Sequence, residues 1–263
     1  MSKLKGVKNQ VMRRCLRESG SNSVVLPEGL QQLVEMILVS REAKEHFERR
    51  KILNISKMFD DYSENNKATI VAFGSSVVER TIEGMHWFDC LEIALNWNRG
   101  RIHQCINSGH SGDNSRDLLT RFDRDVAPLK PNITFIKIGG NDTKPDINMS
   151  RSEFKSNMKK LVRKLKDIES EICLMTYHSP ISKLYGKQRV EKLSEFMESI
   201  REVASSEGTY LIDDLPNWEI LREKYPKVHK SLIHDEIHLS KLGNIFLGLS
   251  LIKTLNLNMG ERD

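Results

Sequence analysis

Two histidines stand four residues apart near the C-terminal end of the chain, in the string HDEIH. At that spacing His234 and His238 can lie on one turn of a helix and bind zinc. In a second reading, Asp235 and His238 belong to a hydrolase triad, in which the acid orients the histidine and the histidine takes a proton from a nucleophile elsewhere. The chemistry expected of the protein depends on which reading holds.

The residues around the two histidines favour the triad. In the zinc-protease string H-E-x-x-H, the general base is the glutamate directly after the first histidine, whereas Asp235 holds that place here. Ser240 is a predicted N-cap for the apolar stretch 242–255, which puts His238 ahead of the helix rather than on it. No third ligand stands out in the sequence, and no G-x-G-x-x-G string of a dinucleotide site follows the first predicted strand, so we expect neither a metal nor an organic cofactor.

Residues that could supply the rest of an acyl-transfer site occur upstream, in polar and glycine-rich segments. Such a site needs a hydroxyl nucleophile, a base and hydrogen-bond donors for the developing oxyanion. Ser76 follows the apolar run 68–73, at a strand-to-helix turn where it can present both its hydroxyl and its N–H. Gly112 allows a backbone N–H to approach closely, and Asn141 can add an amide donor.

These residues need a sheet edge to bring them together. After Lys67, short β-branched runs alternate with helical stretches. The predicted strands are 68–73, 101–106, 132–138, 171–177 and 209–213, and the helical patterns lie near 86–96, 114–126, 151–169 and 187–206. Apolar strands joined by helical crossovers predict a parallel sheet covered on both faces, with its ligand site beyond the carboxyl ends of the strands. Ser76, Gly112 and Asn141 follow three of these strands.

The composition bounds the protein class. The chain has 263 residues, of which 38% are hydrophobic and 29% charged, as in a soluble globular protein. Residues 67–263 form the predicted hydrolase domain. Residues 1–66 form a predicted N-terminal helical extension, since apolar residues recur at helical spacing from Pro27 to Asp61.

Several partners and locations are disfavoured. The net charge is only +5, and the densest basic stretch, 155–170, reads as an amphipathic helix rather than a nucleic-acid surface. No apolar run approaches the roughly 20 residues of a membrane span, and the N-terminus lacks the apolar core of a secretory signal. The four cysteines have no metal-binding spacing. We therefore expect a cytoplasmic protein without a nucleic-acid partner, and we leave the oligomeric state open.

Four blocks in order carry a specific resemblance. FGSSVVE, NSGHSGDNS, IGGND and DEIHLSKLG resemble the blocks of the SGNH hydrolases, in the GDSL esterase/lipase superfamily, which centre on Ser, Gly, Asn and His. The resemblance covers about residues 68–255. It implies a three-layer α/β/α, flavodoxin-like fold with a five-stranded parallel sheet, and a triad of Ser76, His238 and Asp235.

The resemblance also implies an oxyanion hole formed by the N–H groups of Ser76 and Gly112 and the side chain of Asn141. There is one departure, because Ser75 stands where the family usually has aspartate. Two serines are therefore adjacent, and aligning Gly74-Ser75-Ser76 with Gly-Asp-Ser puts the nucleophile at Ser76.

The expected activity is that of a serine esterase working through an acyl-serine intermediate. Because no apolar lid is evident near the blocks, we expect a short acyl group, such as acetyl on a carbohydrate or small molecule. A thioesterase, a lysophospholipase, or a catalytically weak SGNH domain acting as a binding module are the alternatives. Ser75, His110 and His178 are candidate substrate-pocket residues, whereas Asp142 is expected to cap a loop and His234 to be a neighbour of the triad without a chemical role.

Overall fold

A five-stranded parallel sheet forms the centre of the structure. A computed structural model describes residues 58–59, 62–63 and 66–257 of the chain. The strands are β1 Ala68–Gly74, β2 His103–Gly109, β3 Ile133–Lys137, β4 Glu171–Met175 and β5 Tyr210–Ile212. They lie in the order β2-β1-β3-β4-β5, and every neighbouring pair is parallel. This is the flavodoxin-like order, so the predicted α/β fold is confirmed.

Eight α-helices are described. They are α1 Trp87–Arg99, α2 Ser115–Asp125, α3 Arg151–Asp167, α4 Ser182–Tyr185, α5 Lys187–Glu207, α6 Leu215–Lys224, α7 Pro226–Leu232 and α8 Lys241–Thr254. Four match the predicted crossover helices. The predicted C-terminal helix is α8, capped by the Ser240 hydroxyl, which accepts the Gly243 N–H at 3.1 Å. The sequence pattern did not predict α4, α6 or α7.

The helices form two layers around the sheet. On one face α1 packs against α8, and on the other α3 packs against both α2 and α5. The strand β1, which lies between β2 and β3, is accordingly almost entirely apolar, and Ile70, Val71 and Phe73 have no exposed surface. A strand covered by helices on both faces needs this continuous apolar pattern.

The carboxyl ends of three strands lie side by side. Gly74 at the end of β1 pairs with Gly109 of β2 and with Lys137 of β3. A Cβ atom at Gly74 would lie 2.2 Å from the Lys137 carbonyl oxygen, and one at Gly109 would lie 2.1 Å from the Glu79 nitrogen. Glycine at both positions therefore allows the loops after β1, β2 and β3 to start in contact.

The structure describes little of the predicted N-terminal extension. Residues 1–57, which hold most of the predicted helical extension, lie outside the described residues, and the division of the chain at residue 66 remains a prediction. Of the extension, residues 58–59, 62–63 and 66 are described, and Met58 and Phe59 are buried against the core. Within the described ranges, no helix combines the length and apolar character needed to cross a membrane. The cytoplasmic location and the lack of a nucleic-acid partner also remain predictions.

Candidate active site

The three side chains of the predicted triad are joined by hydrogen bonds. The Ser76 Oγ lies 2.8 Å from His238 Nε2, and His238 Nδ1 lies 2.7 Å from Asp235 Oδ2. An ionised carboxylate only accepts hydrogen bonds, so Nδ1 carries the ring proton and Nε2 is free to accept the serine proton. This is the tautomer in which an imidazole can act as a base toward serine.

The environment of Asp235 keeps its side chain ionised. Partial burial disfavours the charge, but the N–H groups of Ile237 and His238 and the His238 ring outweigh it and lower the pKa of Asp235 to about 2. Oδ1 accepts the Ile237 N–H at 2.9 Å and the His238 N–H at 2.8 Å. Both carboxylate oxygens are thus occupied, which fixes the direction from which the acid meets the imidazole.

The loop that carries Asp235 and His238 is closed on itself. Ile233 and Leu239 form an antiparallel bridge, and the His234 N–H donates to the His238 carbonyl at 2.7 Å. The spacing of three residues lets Asp235 accept backbone N–H groups of its own turn and still reach the ring of His238. The helix α8 begins directly afterwards, so His238 lies before that helix, as the sequence predicts.

Three contacts attach this loop to the rest of the domain. The Ile181 N–H donates to the Glu236 carbonyl at 2.9 Å, and Arg189 pairs with the Glu236 carboxylate at 2.9 Å. The third is a bond between His178 Nε2 and the Ile237 carbonyl. Burial lowers the pKa of His178 well below its usual value, so the ring is neutral and Nε2 donates. His178, a candidate pocket residue, thus lies behind the loop.

The two adjacent serines differ in their surroundings. Ser75 has no exposed surface, and its carbonyl accepts the N–H groups of Val78 and Glu79, each at 2.9 Å, in the turn after β1. Ser76 is 8% exposed and is the one whose hydroxyl meets His238. The geometry therefore brings Ser76, and not Ser75, within hydrogen-bonding distance of His238.

The glycine and asparagine blocks are tied to each other. The Asn141 amide donates to the Asp113 carbonyl at 2.9 Å, next to Gly112. Gly112 has a φ of 89°, in the left-handed region that favours glycine. Asp142 is buried, a setting that raises its pKa to about 6, and its Oδ1 accepts the Ser115 N–H at 2.9 Å at the start of α2. Asp142 therefore holds the asparagine block against that helix.

A small cleft adjoins the serine and the histidine. It measures about 230 Å³ including its open mouth. Besides Ser76 and His238, it is lined by Val77, Glu79, Thr81, Ile82, His86, Leu239 and Asn244. Neither His110 nor His178 lines it. The His110 side chain is 67% exposed, and its Nδ1 lies 3.0 Å from Asp113 Oδ1.

His86 is a cleft residue that the sequence analysis did not single out. Burial lowers its pKa to about 4, so the ring is neutral. Its Nδ1 accepts the Phe88 N–H at 3.3 Å as the N-cap of α1, so Nε2 carries the proton and donates to the Val77 carbonyl at 3.1 Å. The capping role of His86 could have been predicted from the sequence, because Asp89 stands three residues later and completes a capping box.

The two histidines of the opening string do not lie on one helical turn. His234 is exposed, and the pair occupies the closed loop before α8 rather than one helical turn. Across residues 66–257 and the few described before them, no three His, Cys, Asp or Glu side chains are grouped closely enough to hold a metal ion.

Comparison with known families identifies the class of protein. The profile of the GDSL-like lipase/acylhydrolase family matches residues 72–244. The chain belongs to this family. It is thus an ester-hydrolysing enzyme, and all four sequence blocks begin within the matched range.

Individual proteins that are similar to this chain agree with this placement. The acetylxylan esterase of Geobacillus stearothermophilus is 24% identical over 159 residues, which are 57% of this chain and 71% of that protein. A crystal structure of that esterase superposes with a TM-score of 0.64 at 20% identity, covering 74% of this chain and 97% of the other. The lipase/acylhydrolase of Enterococcus faecalis gives a TM-score of 0.62 at 22% identity, covering 74% and 100%. These superpositions show the SGNH fold.

Proposed function

We propose that this protein is a serine esterase that removes a short acyl group, such as acetyl, from a carbohydrate or a small molecule. One observation carries the proposal: Ser76, His238 and Asp235 form an unbroken chain of hydrogen bonds at 2.8 Å and 2.7 Å, beside a small open cleft. The Geobacillus acetylxylan esterase has structures of catalytic mutants at a serine, an aspartate and a histidine, which supports these roles.

In the first step, Ser76 attacks the ester carbonyl carbon. Its proton passes to His238 Nε2, and the Asp235 carboxylate stabilises the imidazolium that results. The negative charge on the former carbonyl oxygen is met by the N–H groups of Ser76 and Gly112 and by the Asn141 N–H that does not bond Asp113. His238 then gives its proton to the leaving alcohol oxygen as the bond between carbon and that oxygen breaks.

In the second step, water releases the acid. His238 takes a proton from the water as its oxygen attacks the acyl-serine carbonyl, and the same donors stabilise the second oxyanion. Collapse of this intermediate breaks the bond to Ser76 Oγ, and His238 returns the proton to the serine. The enzyme regains its starting state without a cofactor.

The cleft supports a short acyl group. The cleft is small, with about 230 Å³ of empty space even when its open mouth is included. Its apolar lining is limited to Val77, Ile82 and Leu239, and polar side chains such as Glu79 and Thr81 complete it. Acetyl fits such a surface better than a long alkyl chain, and a carbohydrate as the alcohol agrees with the acetylxylan esterase relative.

Hydrolysis of p-nitrophenyl acetate, butyrate, octanoate and laurate tests the acyl length, with acetylated xylose tested alongside for acetate release. We expect kcat/KM to be highest for acetate and to fall steadily with chain length, since the longer acyl groups exceed the cleft. A maximum at octanoate or beyond would contradict the short-acyl proposal. Faster turnover of an acyl-thioester or a lysophospholipid would favour those alternatives.

Labelling by a fluorophosphonate tests the nucleophile. We expect the probe to label the wild type and Ser75→Ala at Ser76, and to leave Ser76→Ala unlabelled. Labelling of Ser76→Ala at Ser75 would refute the assignment. A folded wild type that is neither labelled nor active on any of these esters would instead support the binding-module alternative.

A further inference from the structure

Arg121 is a buried arginine on α2 for which the proposed mechanism has no use. Its side chain is only 8% exposed, and its guanidinium carbon lies 4.5 Å from the centre of the Phe73 ring. The guanidinium donates to Asp113 Oδ2 at 2.5 Å, to the Gly74 carbonyl at 2.9 Å, to the Ser108 carbonyl at 3.0 Å, and to Ser108 Oγ and Asp125 Oδ2 at 3.2 Å each. Each of its three nitrogen atoms is engaged.

The hydrogen bond from Arg121 to Gly74 connects the guanidinium to the backbone next to the nucleophile. Gly74 is the last residue of β1 and stands two residues before Ser76. Its carbonyl accepts a second hydrogen bond, from the His110 N–H at 3.1 Å. The backbone that delivers the serine is thus held by Arg121 and by the first residue after β2.

The hydrogen bond from Arg121 to Asp113 connects the guanidinium to the proposed oxyanion donors. Asp113 follows Gly112, and its carbonyl accepts the Asn141 amide at 2.9 Å. Its carboxylate is held from two directions, by Arg121 on Oδ2 and by His110 Nδ1 on Oδ1 at 3.0 Å. The position of Asp113 therefore governs where both Gly112 and Asn141 stand.

We propose that Arg121 is a positioning residue that fixes the separation between the Ser76 hydroxyl and the oxyanion donors. The inference rests on the proposed function. Arg121 joins the two halves of the site directly, since one guanidinium nitrogen bonds Gly74 and another bonds Asp113. Catalysis by such a site is sensitive to this separation, because a misplacement of about 1 Å can cost about 10²-fold in rate.

The planar fork of arginine suits this task and lysine does not. Arginine presents donors in fixed directions, so it can bond a carboxylate and two backbone carbonyls at once. A lysine at the same position keeps the charge but has one nitrogen atom, which cannot reach Asp113, Gly74 and Ser108 together. Arg121→Lys therefore keeps the positive charge but removes the set of simultaneous hydrogen bonds, so its effect on kcat reports on the hydrogen bonds.

The test begins with kcat and KM for an acetyl ester. Arg124→Lys is the matched control, because Arg124 lies on the same helix, is 76% exposed and pairs with Asp125. For Arg121→Lys we expect kcat to fall by about 10–100-fold, somewhat less than the loss of an oxyanion donor itself. KM should change by less than about threefold, since the donors act mainly on the transition state. A kcat within about threefold of wild type would overturn the proposal.

A double-mutant cycle with Asn141→Ala separates positioning from general stability. If Arg121 acts by placing Asn141, adding Arg121→Lys to Asn141→Ala should cost at least about fivefold less than it costs alone. If the fold-losses in kcat of Arg121→Lys and Asn141→Ala simply multiply in the double variant, the proposal is overturned, even if Arg121→Lys alone has a low kcat.

Two checks keep the outcome decisive. Circular dichroism shows whether Arg121→Lys folds; if it does not, Asp113→Asn tests the same link, and full kcat in that variant overturns the proposal. Wild-type hydrolysis is measured first. A wild type without esterase activity refutes the proposed function, whereas an active wild type with an additive cycle refutes the role of Arg121 alone.

Discussion

Replacement of Asp235 by asparagine removes the charge and reverses the direction of one hydrogen bond. In the wild type, Oδ1 accepts two backbone N–H groups and Oδ2 accepts the His238 Nδ1 proton. An asparagine can keep its oxygen on the backbone N–H groups, and its NH₂ then faces Nδ1. Because NH₂ donates, the ring must carry its proton on Nε2, where it can no longer accept the proton of Ser76.

The size of the effect follows from how exposed the pair is. In a buried triad this exchange lowers kcat by about 10⁴-fold. Here the side chains of His238 and Asp235 are 36% and 44% exposed, so water can support the productive tautomer in part of the population. We expect a loss of about 10²–10³-fold in kcat for Asp235→Asn, which corresponds to about 3–4 kcal/mol in the activation barrier.

Steady-state hydrolysis of p-nitrophenyl acetate across the pH range measures this effect. Asp123→Asn is the control, because Asp123 is 74% exposed, pairs with Lys164 and lies on α2; its kcat should stay within about threefold of wild type. With a pKa of about 2, Asp235 is ionised at every pH at which the activity is assayed. Its own titration therefore does not contribute to the dependence of wild-type kcat on pH. An Asp235→Asn enzyme that keeps more than about a tenth of wild-type kcat would refute the tautomer argument.

Three further predictions concern the metal reading, acid stability and the glycine block. His234→Ala should keep kcat within about threefold and EDTA should not inactivate the enzyme; loss of activity that zinc restores would revive the metal site. Since burial lowers the pKa of His86 from 6.5 to about 4, the unfolded chain takes up a proton first as the pH falls. The free energy of unfolding should then drop by about 3 kcal/mol between those two pH values. His86→Asn, which keeps a capping side chain, should flatten that slope in urea titrations, and an unchanged slope would contradict it. Gly112→Ala and Gly100→Ala introduce a Cβ at φ values of 89° and 79° with nothing within 4 Å. Both should destabilise the fold by about 1–3 kcal/mol of backbone strain and therefore lower Tm to a similar extent. Only Gly112→Ala should also lower kcat, and equal kcat in the two variants would refute a role for Gly112.

The sheet was predictable because its strands are apolar runs between polar turns. A strand such as β1 is buried on both faces, so its sequence ATIVAFG has few polar interruptions and its end is marked by glycine and serine. The residues that follow such strands must meet at one edge, which is how Ser76 and Asn141 could be singled out. The helices α4, α6 and α7 were missed because they have only four, ten and seven residues. Such lengths give too few turns for a periodic pattern to emerge.

The residues that hold the site in place were harder to find, because their role depends on burial. Arg121 stands in the stretch RDLLTRFDRD, where it resembles its exposed neighbours Arg116 and Arg124. On the helix, however, it falls between Leu118 and Phe122, which form the buried stripe of α2. A charged residue on an apolar stripe must be paired or the helix could not pack, so its partners have to come from the elements it packs against. That position was readable from the spacing alone, whereas the identity of the partners, at the ends of β1 and β2, required the tertiary structure.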